Sequence, residues 1–234
     1  MSRSSTWPGA PRDIITVLAK APRPGQVKTR LCPPLDPLQA ADLYAEMLAD
    51  VLETTHDFAT EASFEPVLSV YPASARMEMA GLVPSSFRVV AQCGFGLSER
   101  MAWAVDESLA SGASKVLLRG SDNPALSRRI LQSAVDALDE ADLVVSPDQD
   151  GGYGLIGLRG PWAEVFNHPM STDTVLEETL AHAQRLGLSV HRLESSFDLD
   201  RNCDLDRLLE AAVSEELDSC GRTVQWIRSY REAH

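Results

Sequence analysis

Short apolar runs rich in β-branched residues alternate along this chain with longer segments whose apolar residues recur at helical spacing. Residues 14–19 form one such run and predict a buried strand. Asp36 and Pro37 then stand in the order of an N-cap and a first-turn proline, and apolar positions from Leu43 to Val51 share one helical face. Repetition of this pattern predicts a three-layer α/β fold, in which helices cover both faces of a mostly parallel sheet.

The same criteria locate the remaining elements. Further strands are expected at residues 66–71, 87–91, 115–118, 143–146, 153–158 and 189–193. Further helices are expected from residue 98, over 127–138, 172–186, 205–217 and 223–231, with Ser98, Ser127 and Asp204 as N-caps.

Length and charge limit the classes of protein to consider. The chain has 234 residues, a length that suits one globular domain, expected over residues 13–234, and its net charge is −13. Excess negative charge repels nucleic-acid phosphates, so no nucleic-acid partner is expected. No apolar run reaches the roughly 18 residues of a membrane helix, and residues 1–12 lack the apolar core of a signal peptide. We therefore expect a cytoplasmic protein with a flexible leader over residues 1–12 and no membrane partner.

Positive charge is concentrated in the loop after the first predicted strand. Lys20, Arg23, Lys28 and Arg30 lie there, and no acidic residue falls between Lys20 and Leu31. Arginine binds phosphate through a bidentate fork and lysine as a point charge, and parallel sheets bind ligands beyond the carboxyl ends of their strands. The loop therefore predicts a binding site for a small polyphosphate; the alternative is a solvated basic loop.

Carboxylates at two distant places suit a hard cation. Asp122 follows a glycine at the end of a predicted strand, where it could reach a magnesium ion that bridges ligand phosphates. The alternative is a turn-forming aspartate ahead of a proline. Asp198 and Asp200 alternate along an extended segment and so could face one site, whereas a solvated acidic turn is the other interpretation. Asp204 is better explained as a helix N-cap.

Two further segments are ambiguous. Residues 148–154 join two predicted strands, and their Asp-Gly turn is more typical of a hairpin than of a site, although the glycines would let a ligand approach the backbone closely. Residues 97–101 open a helix, whose N-terminus could meet an anion.

Together, these segments resemble a family of small bacterial GT-A-like transferases, usually catalogued as glycosyltransferases by inference from fold. The resemblance extends from about residue 14 to residue 209. Its markers are the Lys-x-Pro-x-x-Gly-x-x-Lys-Thr-Arg loop at 20–30, Leu-x-Glu-Arg-Met at 97–101, and the segments 120–124, 150–153 and 198–205. The layout is also similar to phospholactate guanylyltransferases and molybdenum-cofactor nucleotidyltransferases, which share the basic loop.

The resemblance implies a metal-dependent transferase with a nucleotide donor, a small-molecule acceptor and Mg²⁺ or Mn²⁺ as cofactor. The implied catalytic residues are Lys28, Asp122 and Asp200, and the implied metal ligands are Asp122 and Asp200, with Asp198 as a further candidate. Nucleotide and phosphate binding is expected of Lys20, Arg23, Gly25, Lys28, Thr29, Arg30, Arg100 and Ser121. Acceptor binding is expected of Asp150, Gly151, Gly152 and Tyr153. The chain departs from the family pattern at Ser98, Gly154 and Arg201, and the last two departures lie where an acceptor would sit, which leaves the acceptor open.

Charge matching favours nucleotidyl transfer over glycosyl transfer. A nucleoside triphosphate carries about four negative charges at neutral pH, whereas a sugar-linked diphosphate carries about two. The cations of the loop at residues 20–30 fit the larger charge better. We therefore expect transfer from a triphosphate to a small phosphorylated acceptor with release of pyrophosphate. Glycosyl transfer from a nucleotide-sugar and non-catalytic nucleotide binding are the alternatives.

Overall fold

A computed structural model describes residues 12–170, 172–213 and 219–233 of the chain. The predicted leader lies outside the described residues except for Arg12, and so do residues 214–217 of the predicted helix at 205–217.

The strands form one sheet. In chain order they are β1 (Ile14–Lys20), β2 (Glu65–Tyr71), β3 (Arg88–Ala91), β4 (Val116–Gly120), β5 (Leu143–Pro147), β6 (Tyr153–Leu158) and β7 (Val190–Arg192). Within the described residues the sheet has seven strands in the order β3-β2-β1-β4-β6-β5-β7. Neighbouring strands run parallel except where β6 pairs with β4 and β5. The predicted mostly parallel sheet is therefore confirmed.

Helices cover both faces of this sheet. They are α1 (Pro37–Ala62), α2 (Arg76–Ala80), α3 (Leu97–Ala110), α4 (Arg128–Ala137), α5 (Val175–Arg185), α6 (Asn202–Ala211) and α7 (Gly221–Ala233). Side chains alternate along a strand, so neighbouring residues of β1 belong to different cores. Ile14 packs in the cluster that contains Val105 of α3 and Ala183 of α5, whereas Ile15 packs with Phe58 of α1 and Leu131 of α4. This arrangement confirms the predicted three layers.

The helix-start signals were correct in two places and wrong in two. Asp36 forms a capping box with Gln39, and the Ser127 hydroxyl accepts a hydrogen bond from the amide of Ile130. Ser98 is not an N-cap, because α3 begins one residue earlier behind Gly96 and the Ser98 hydroxyl donates to the Phe166 carbonyl.

The prediction of Asp204 as an N-cap is the second one that is wrong. Helix α6 begins at Asn202, so Asp204 lies inside its first turn. Its carboxylate accepts hydrogen bonds from the amides of Asp200 (3.0 Å) and Arg201 (2.6 Å). Asp204 therefore fixes the chain entering the helix, next to the Asp198–Asp200 segment.

The last two helices pack against α1. Leu205 of α6 and Ile227 of α7 join Leu43 and Met47 of α1 in one buried cluster. The segment before α6 is held beside the end of β4, where the amide of Leu199 donates to the carbonyl of Asp122 at 2.9 Å. The C-terminal part of the chain thus carries its acidic residues to the sheet edge. No helix among the described residues is long and apolar enough to cross a membrane.

Candidate active site

The basic loop and the Asp122 turn are neighbours because their strands are neighbours. β1 and β4 pair in parallel, with Leu18 opposite Gly120, so both strands end at the same edge of the sheet. The loop after β1 carries Lys28, and the turn after β4 carries Asp122. This edge is where ligands of α/β sheets bind.

Lys28 is the centre of the site. Its side chain is only 3% exposed, and its Nζ lies 2.5 Å from Asp122 Oδ1 and 3.0 Å from Asp200 Oδ1. Burial alone lowers the pKa of a lysine, but the charges of Asp122 and Asp200 outweigh it and raise the pKa of Lys28 above its ordinary value. The side chain is therefore an ammonium ion that joins two carboxylates from distant parts of the chain.

The backbone at Lys28 is held in an unusual conformation. Its φ is 47°, in the left-handed region that side chains other than glycine and asparagine seldom adopt. The residue directly precedes a short 3₁₀ turn at Thr29–Leu31, whose Leu31 is buried. The turn thus anchors the loop in the core on one side while the ammonium points to the carboxylates on the other.

Asp200 forms a second ion pair, with Arg30. Arg30 Nη1 lies 3.1 Å from Asp200 Oδ2, and the arginine side chain is largely exposed. Burial raises the pKa of a carboxyl group, but Lys28 and Arg30 overcome this effect and hold the pKa of Asp200 below its ordinary value. Asp200 is therefore ionised across the neutral range.

Two more carboxyl groups crowd the same place. Burial raises the pKa of Asp198 well above its ordinary value, the negative charges of Asp122 and Asp148 raise it further, and Lys28 acts in the opposite direction. Burial also raises the pKa of Asp148. Lys28 interacts electrostatically with Asp198 as well as with Asp200, and that these two carboxylates serve one ligand site stays a prediction. Three carboxyl groups, those of Asp122, Asp200 and Asp198, thus act on the one buried ammonium.

Tyr44 links the two loops. Its buried hydroxyl accepts a hydrogen bond from the Lys20 amide at 3.0 Å and lies 2.7 Å from the Ser121 hydroxyl. Burial raises the pKa of Tyr44 to about 12, so the phenol stays protonated. Ser121, predicted to bind phosphate, is itself buried against this tyrosine.

The rest of the basic loop is more exposed. Arg23 pairs with Glu78 of α2 at 3.4 Å, whereas the side chains of Lys20 and Thr29 lie in solvent. Gly25 has a φ of 73°, and a Cβ at this residue would meet nothing within 4 Å, so its role is conformational. The four predicted cations therefore divide into one buried ammonium and three accessible groups.

Arg100 holds the segment before α3. Its guanidinium donates to the carbonyls of Gly94 and Phe95, each at 3.1 Å, and lies over the Tyr71 ring at 3.9 Å from the centroid. These contacts bring the predicted phosphate-binding arginine to the same sheet edge as the ends of β2 and β3. They also leave the Phe95 side chain almost wholly exposed.

The predicted acceptor segment is a hairpin turn between β5 and β6, as its Asp-Gly pair indicated. Asp150 Oδ1 accepts from the Gly152 amide at 3.1 Å, and Gly151 has a φ of 89°. The Gly151 carbonyl accepts from the amide of Leu176 at 2.9 Å, which ties the turn to the start of α5. Tyr153 departs from this group, because its hydroxyl lies against Thr179 at 3.3 Å within the core under α5.

Sequence reasoning missed three residues of this region. Tyr44 was recognised only as part of a helix face, and Asp148 only as part of a turn. Arg119 lies inside β4 and is fully buried, and it donates to Thr55 Oγ1 at 3.0 Å and to the Asn123 carbonyl at 3.2 Å. Burial lowers its pKa to about 9. Arg119 thereby supports the turn that carries Asp122. The one sequence signal for it is a charged residue within an otherwise apolar strand.

Residues 54–172 of the chain match the model of a family described as "Uncharacterized protein conserved in bacteria (DUF2064)". The chain belongs to this family.

Two full-length relatives are informative. Phosphoenolpyruvate guanylyltransferase of Sphaerobacter thermophilus is 28% identical over 214 residues, which cover 88% of this chain and all of that protein. A crystal structure from Desulfovibrio desulfuricans G20, of a protein provisionally named a nucleotide-diphospho-sugar transferase, superposes with a TM-score of 0.82. It is 28% identical and the match covers 93% of this chain and 97% of that one. The protein is therefore a transferase of the GT-A-like superfamily, and the expected family resemblance is confirmed.

A more distant structure agrees in fold alone. A nucleotidyl transferase from Methanothermobacter thermautotrophicus superposes with a TM-score of 0.60 at 14% identity, over 86% of this chain and 98% of that one. Nucleotidyl and nucleotide-sugar transferases thus share this architecture. The common feature is a nucleotide substrate, and the fold does not distinguish the two reactions.

Proposed function

We propose that this protein is a metal-dependent nucleotidyltransferase, which moves a nucleoside monophosphate from a triphosphate to a small phosphorylated acceptor and releases pyrophosphate. The observation that carries the proposal is the convergence of Lys28, Asp122 and Asp200 at the edge of the sheet where β1 and β4 end. Exposed Arg30 and Lys20 extend this group toward solvent, where a polyphosphate would approach.

The carboxylates at this edge fit a hard divalent cation. Among the described residues no three His, Cys, Asp or Glu side chains converge closely enough to hold a metal by themselves. Mg²⁺ commonly takes only one or two carboxylates and completes its shell with phosphate oxygens and water. Asp122 and Asp200 match that need, because Oδ1 of each lies against the same Lys28 ammonium, at 2.5 Å and 3.0 Å. Bound there, the cation would neutralise phosphate oxygens as charge develops on them.

The reaction itself requires few chemical groups from the protein. An acceptor oxygen attacks the α-phosphorus, the bond between the α-phosphorus and its bridging oxygen to the β-phosphate breaks, and the electron pair leaves on pyrophosphate. Lys28 and Arg30 supply positive charge toward the phosphates. The buried Tyr44–Ser121 contact fixes the position of the loop after β1 relative to the turn after β4. Neither a covalent intermediate nor a nucleophilic side chain is needed.

The guanylyltransferase relative suggests specific substrates. Because it is similar over its whole length, GTP is the first donor to test and phosphoenolpyruvate the first acceptor. The turn at Asp150, Gly151 and Gly152 is our proposed acceptor contact, since Asp150 is exposed, the two glycines are partly exposed, and the turn follows Asp148 at the carboxyl end of β5.

Glycosyl transfer is the second candidate, and one observation favours it. The Desulfovibrio desulfuricans structure superposes closely and bears a nucleotide-diphospho-sugar transferase name. In that case the same cations would stabilise a nucleoside diphosphate as the leaving group.

One experiment separates the two reactions. The protein is incubated with Mg²⁺ or Mn²⁺, each nucleoside triphosphate and a panel of phosphorylated acids, sugars and phosphonates, and pyrophosphate is measured. In parallel, nucleotide-sugars are offered with the same panel and nucleoside diphosphate is measured. Acceptor-dependent pyrophosphate release that is lost in Asp122→Asn supports nucleotidyl transfer. Diphosphate release from a nucleotide-sugar, without pyrophosphate from any triphosphate, would replace it with glycosyl transfer.

A further inference from the structure

The Lys28 ammonium occupies the oxygens that a cation would need. Its Nζ is in contact with Oδ1 of Asp122 and Oδ1 of Asp200, and these are the two carboxylates that fit Mg²⁺. The Asp122 side chain is 46% exposed, so a cation can approach it from solvent, but its Oδ1 is in contact with the ammonium.

The same contacts keep Lys28 away from phosphate. Its side chain is 3% exposed, so a triphosphate on the solvent side of Asp122 cannot meet the ammonium while it remains between the two carboxylates. Arg30 differs in this respect, because it binds the other oxygen of Asp200, Oδ2, and its side chain is 65% exposed.

The backbone conformation of Lys28 opposes this arrangement. The left-handed conformation of Lys28 is unfavourable for a residue with a β-carbon. The attraction of the two carboxylates offsets that cost, so the position of Lys28 depends on the charge of its partners.

We infer that Lys28 and a divalent cation compete for Asp122 and Asp200, and that the cation displaces the ammonium from between them toward the phosphates of the donor. The inference rests on the proposed function for its donor, but the competition concerns only residues of this chain and a metal ion. Two like charges at the same carboxylate oxygens repel each other strongly where water is excluded. Lys28 is thus both the internal counterion of the site and, once released, a phosphate-binding group.

The competition can be observed in the wild-type protein without any nucleotide. The chain has three lysines, Lys20, Lys28 and Lys115, so ammonium signals in a ¹H–¹⁵N NMR spectrum are few. A buried, ion-paired ammonium is expected to give a slowly exchanging signal. Titration with Mg²⁺ should shift or remove the Lys28 signal and leave that of Lys115 unchanged. A Lys28 signal that persists unchanged while Mg²⁺ shifts the amide signals around Asp122 would overturn the inference.

A variant provides the second test. Mn²⁺ binding to the nucleotide-free protein is measured by electron paramagnetic resonance for wild type, Lys28→Met and Lys28→Gln. Removing a charge-assisted contact that the metal must replace should tighten Mn²⁺ binding by about tenfold or more. Lys20→Met removes the same charge from the same loop without a contact to either carboxylate, and should change the affinity by less than about twofold.

The outcomes separate this inference from the proposed reaction. Equal Mn²⁺ affinity in wild type and both Lys28 variants, or equal tightening by Lys20→Met, would overturn the competition and leave nucleotidyl transfer standing. Tighter binding in the Lys28 variants supports the competition even if no triphosphate yields pyrophosphate. Thermal unfolding of each variant checks that it is folded, and the wild-type NMR titration decides the question if neither variant folds.

Discussion

The hydroxyl oxygens of Tyr44 and Ser121 lie 2.7 Å apart in a buried contact between α1 and the turn that follows β4. The same phenol oxygen accepts a hydrogen bond from the amide of Lys20 at the end of β1. One side chain therefore connects the loop that carries the cations with the turn that carries Asp122, and it does so from a helix that contributes no charge to the site.

Tyr44→Phe should weaken both the fold and the site. Loss of a buried hydrogen-bonding hydroxyl leaves the Lys20 amide without its partner and should lower the free energy of unfolding by about 1–2 kcal/mol. Because Ser121 adjoins Asp122, the magnesium-dependent part of nucleotide binding should weaken as well. Urea denaturation and titration calorimetry with GTP measure the two effects.

Tyr230→Phe is the matched control for this substitution. Its hydroxyl makes an exposed contact of 3.4 Å with the Pro34 carbonyl, so stability and binding should change little. Equal effects at positions 44 and 230 would show that Tyr44 contributes by packing alone.

Asp50 provides a test of the C-terminal helix that is independent of the active site. It accepts hydrogen bonds from the amide of Arg222 (3.2 Å) and from the amide and hydroxyl of Thr223, which cap the start of α7. Burial raises the pKa of Asp50 above its ordinary value, and the hydrogen bonds from Thr223 and Arg222 oppose this effect only in part.

The sign of the pH dependence follows from that raised pKa. Folding favours the protonated form, so the stability linked to this proton is greatest below the ordinary carboxyl pKa of about 4 and is lost as pH rises through the raised value. Asp50→Asn cannot titrate. The unfolding free energy of wild type minus that of Asp50→Asn should therefore decrease with rising pH in this window, as measured by urea denaturation.

Asp57→Asn controls for the loss of one negative charge from the same helix, at an exposed position. A difference between wild type and Asp50→Asn that grows with pH, beyond the change in this control, would contradict the assigned direction.

Much of this architecture follows from local sequence signals. Apolar runs placed every described strand to within two residues. The signal is clearest for buried strands such as β1 and β5, which need apolar side chains on both faces. The basic loop and Asp122 could be expected at one edge since both follow parallel strands. Asp36 and Ser127 were predictable because an N-cap acts within its own turn.

Contacts between distant segments could not be predicted in this way. Asp148 and Asp198 meet through the packing of β5 with the segment before α6, which no local pattern encodes. Tyr44 has the spacing of an ordinary core residue, and its hydroxyl becomes informative only when Lys20 and Ser121 are beside it. Arg119 contradicts the apolar pattern of β4, and the reason lies in Thr55 and Asn123, which pack against it.

Asp122→Asn and Asp200→Asn test the proposed metal ligands. Each substitution removes one anionic charge while Lys28 keeps a carboxylate partner, so the fold should persist. Each should abolish the magnesium-dependent part of GTP binding, measured by calorimetry with and without Mg²⁺. Asp57→Asn should retain it fully. Full magnesium dependence in either active-site variant would remove that aspartate from the ligand set.

Gly151 tests the proposed acceptor contact, because the turn it occupies has no room for a side chain. A β-carbon at this position would lie 1.9 Å from the Asp173 carbonyl oxygen, and its φ of +89° is strained for any residue other than glycine. Gly151→Ala must therefore move the turn at Asp150–Gly152 away from Asp173, which precedes α5. Since the contacts of Gly151 are with Leu176 and Asp173 rather than with Lys28 or Arg30, the GTP dissociation constant should stay within about twofold of wild type, whereas the acceptor KM should rise about tenfold or more.

Gly187→Ala separates displacement of the turn from backbone strain alone. Gly187 has a φ of +72° and open space around its α-carbon, at the far end of α5. Its substitution should cost about 1 kcal/mol of stability and leave both constants unchanged. Pyrophosphate release at varied phosphoenolpyruvate concentration gives the acceptor KM, and calorimetry gives the GTP dissociation constant. If Gly151→Ala weakens GTP binding as much as it raises the acceptor KM, the turn belongs to the donor site and the acceptor must bind elsewhere along the edge.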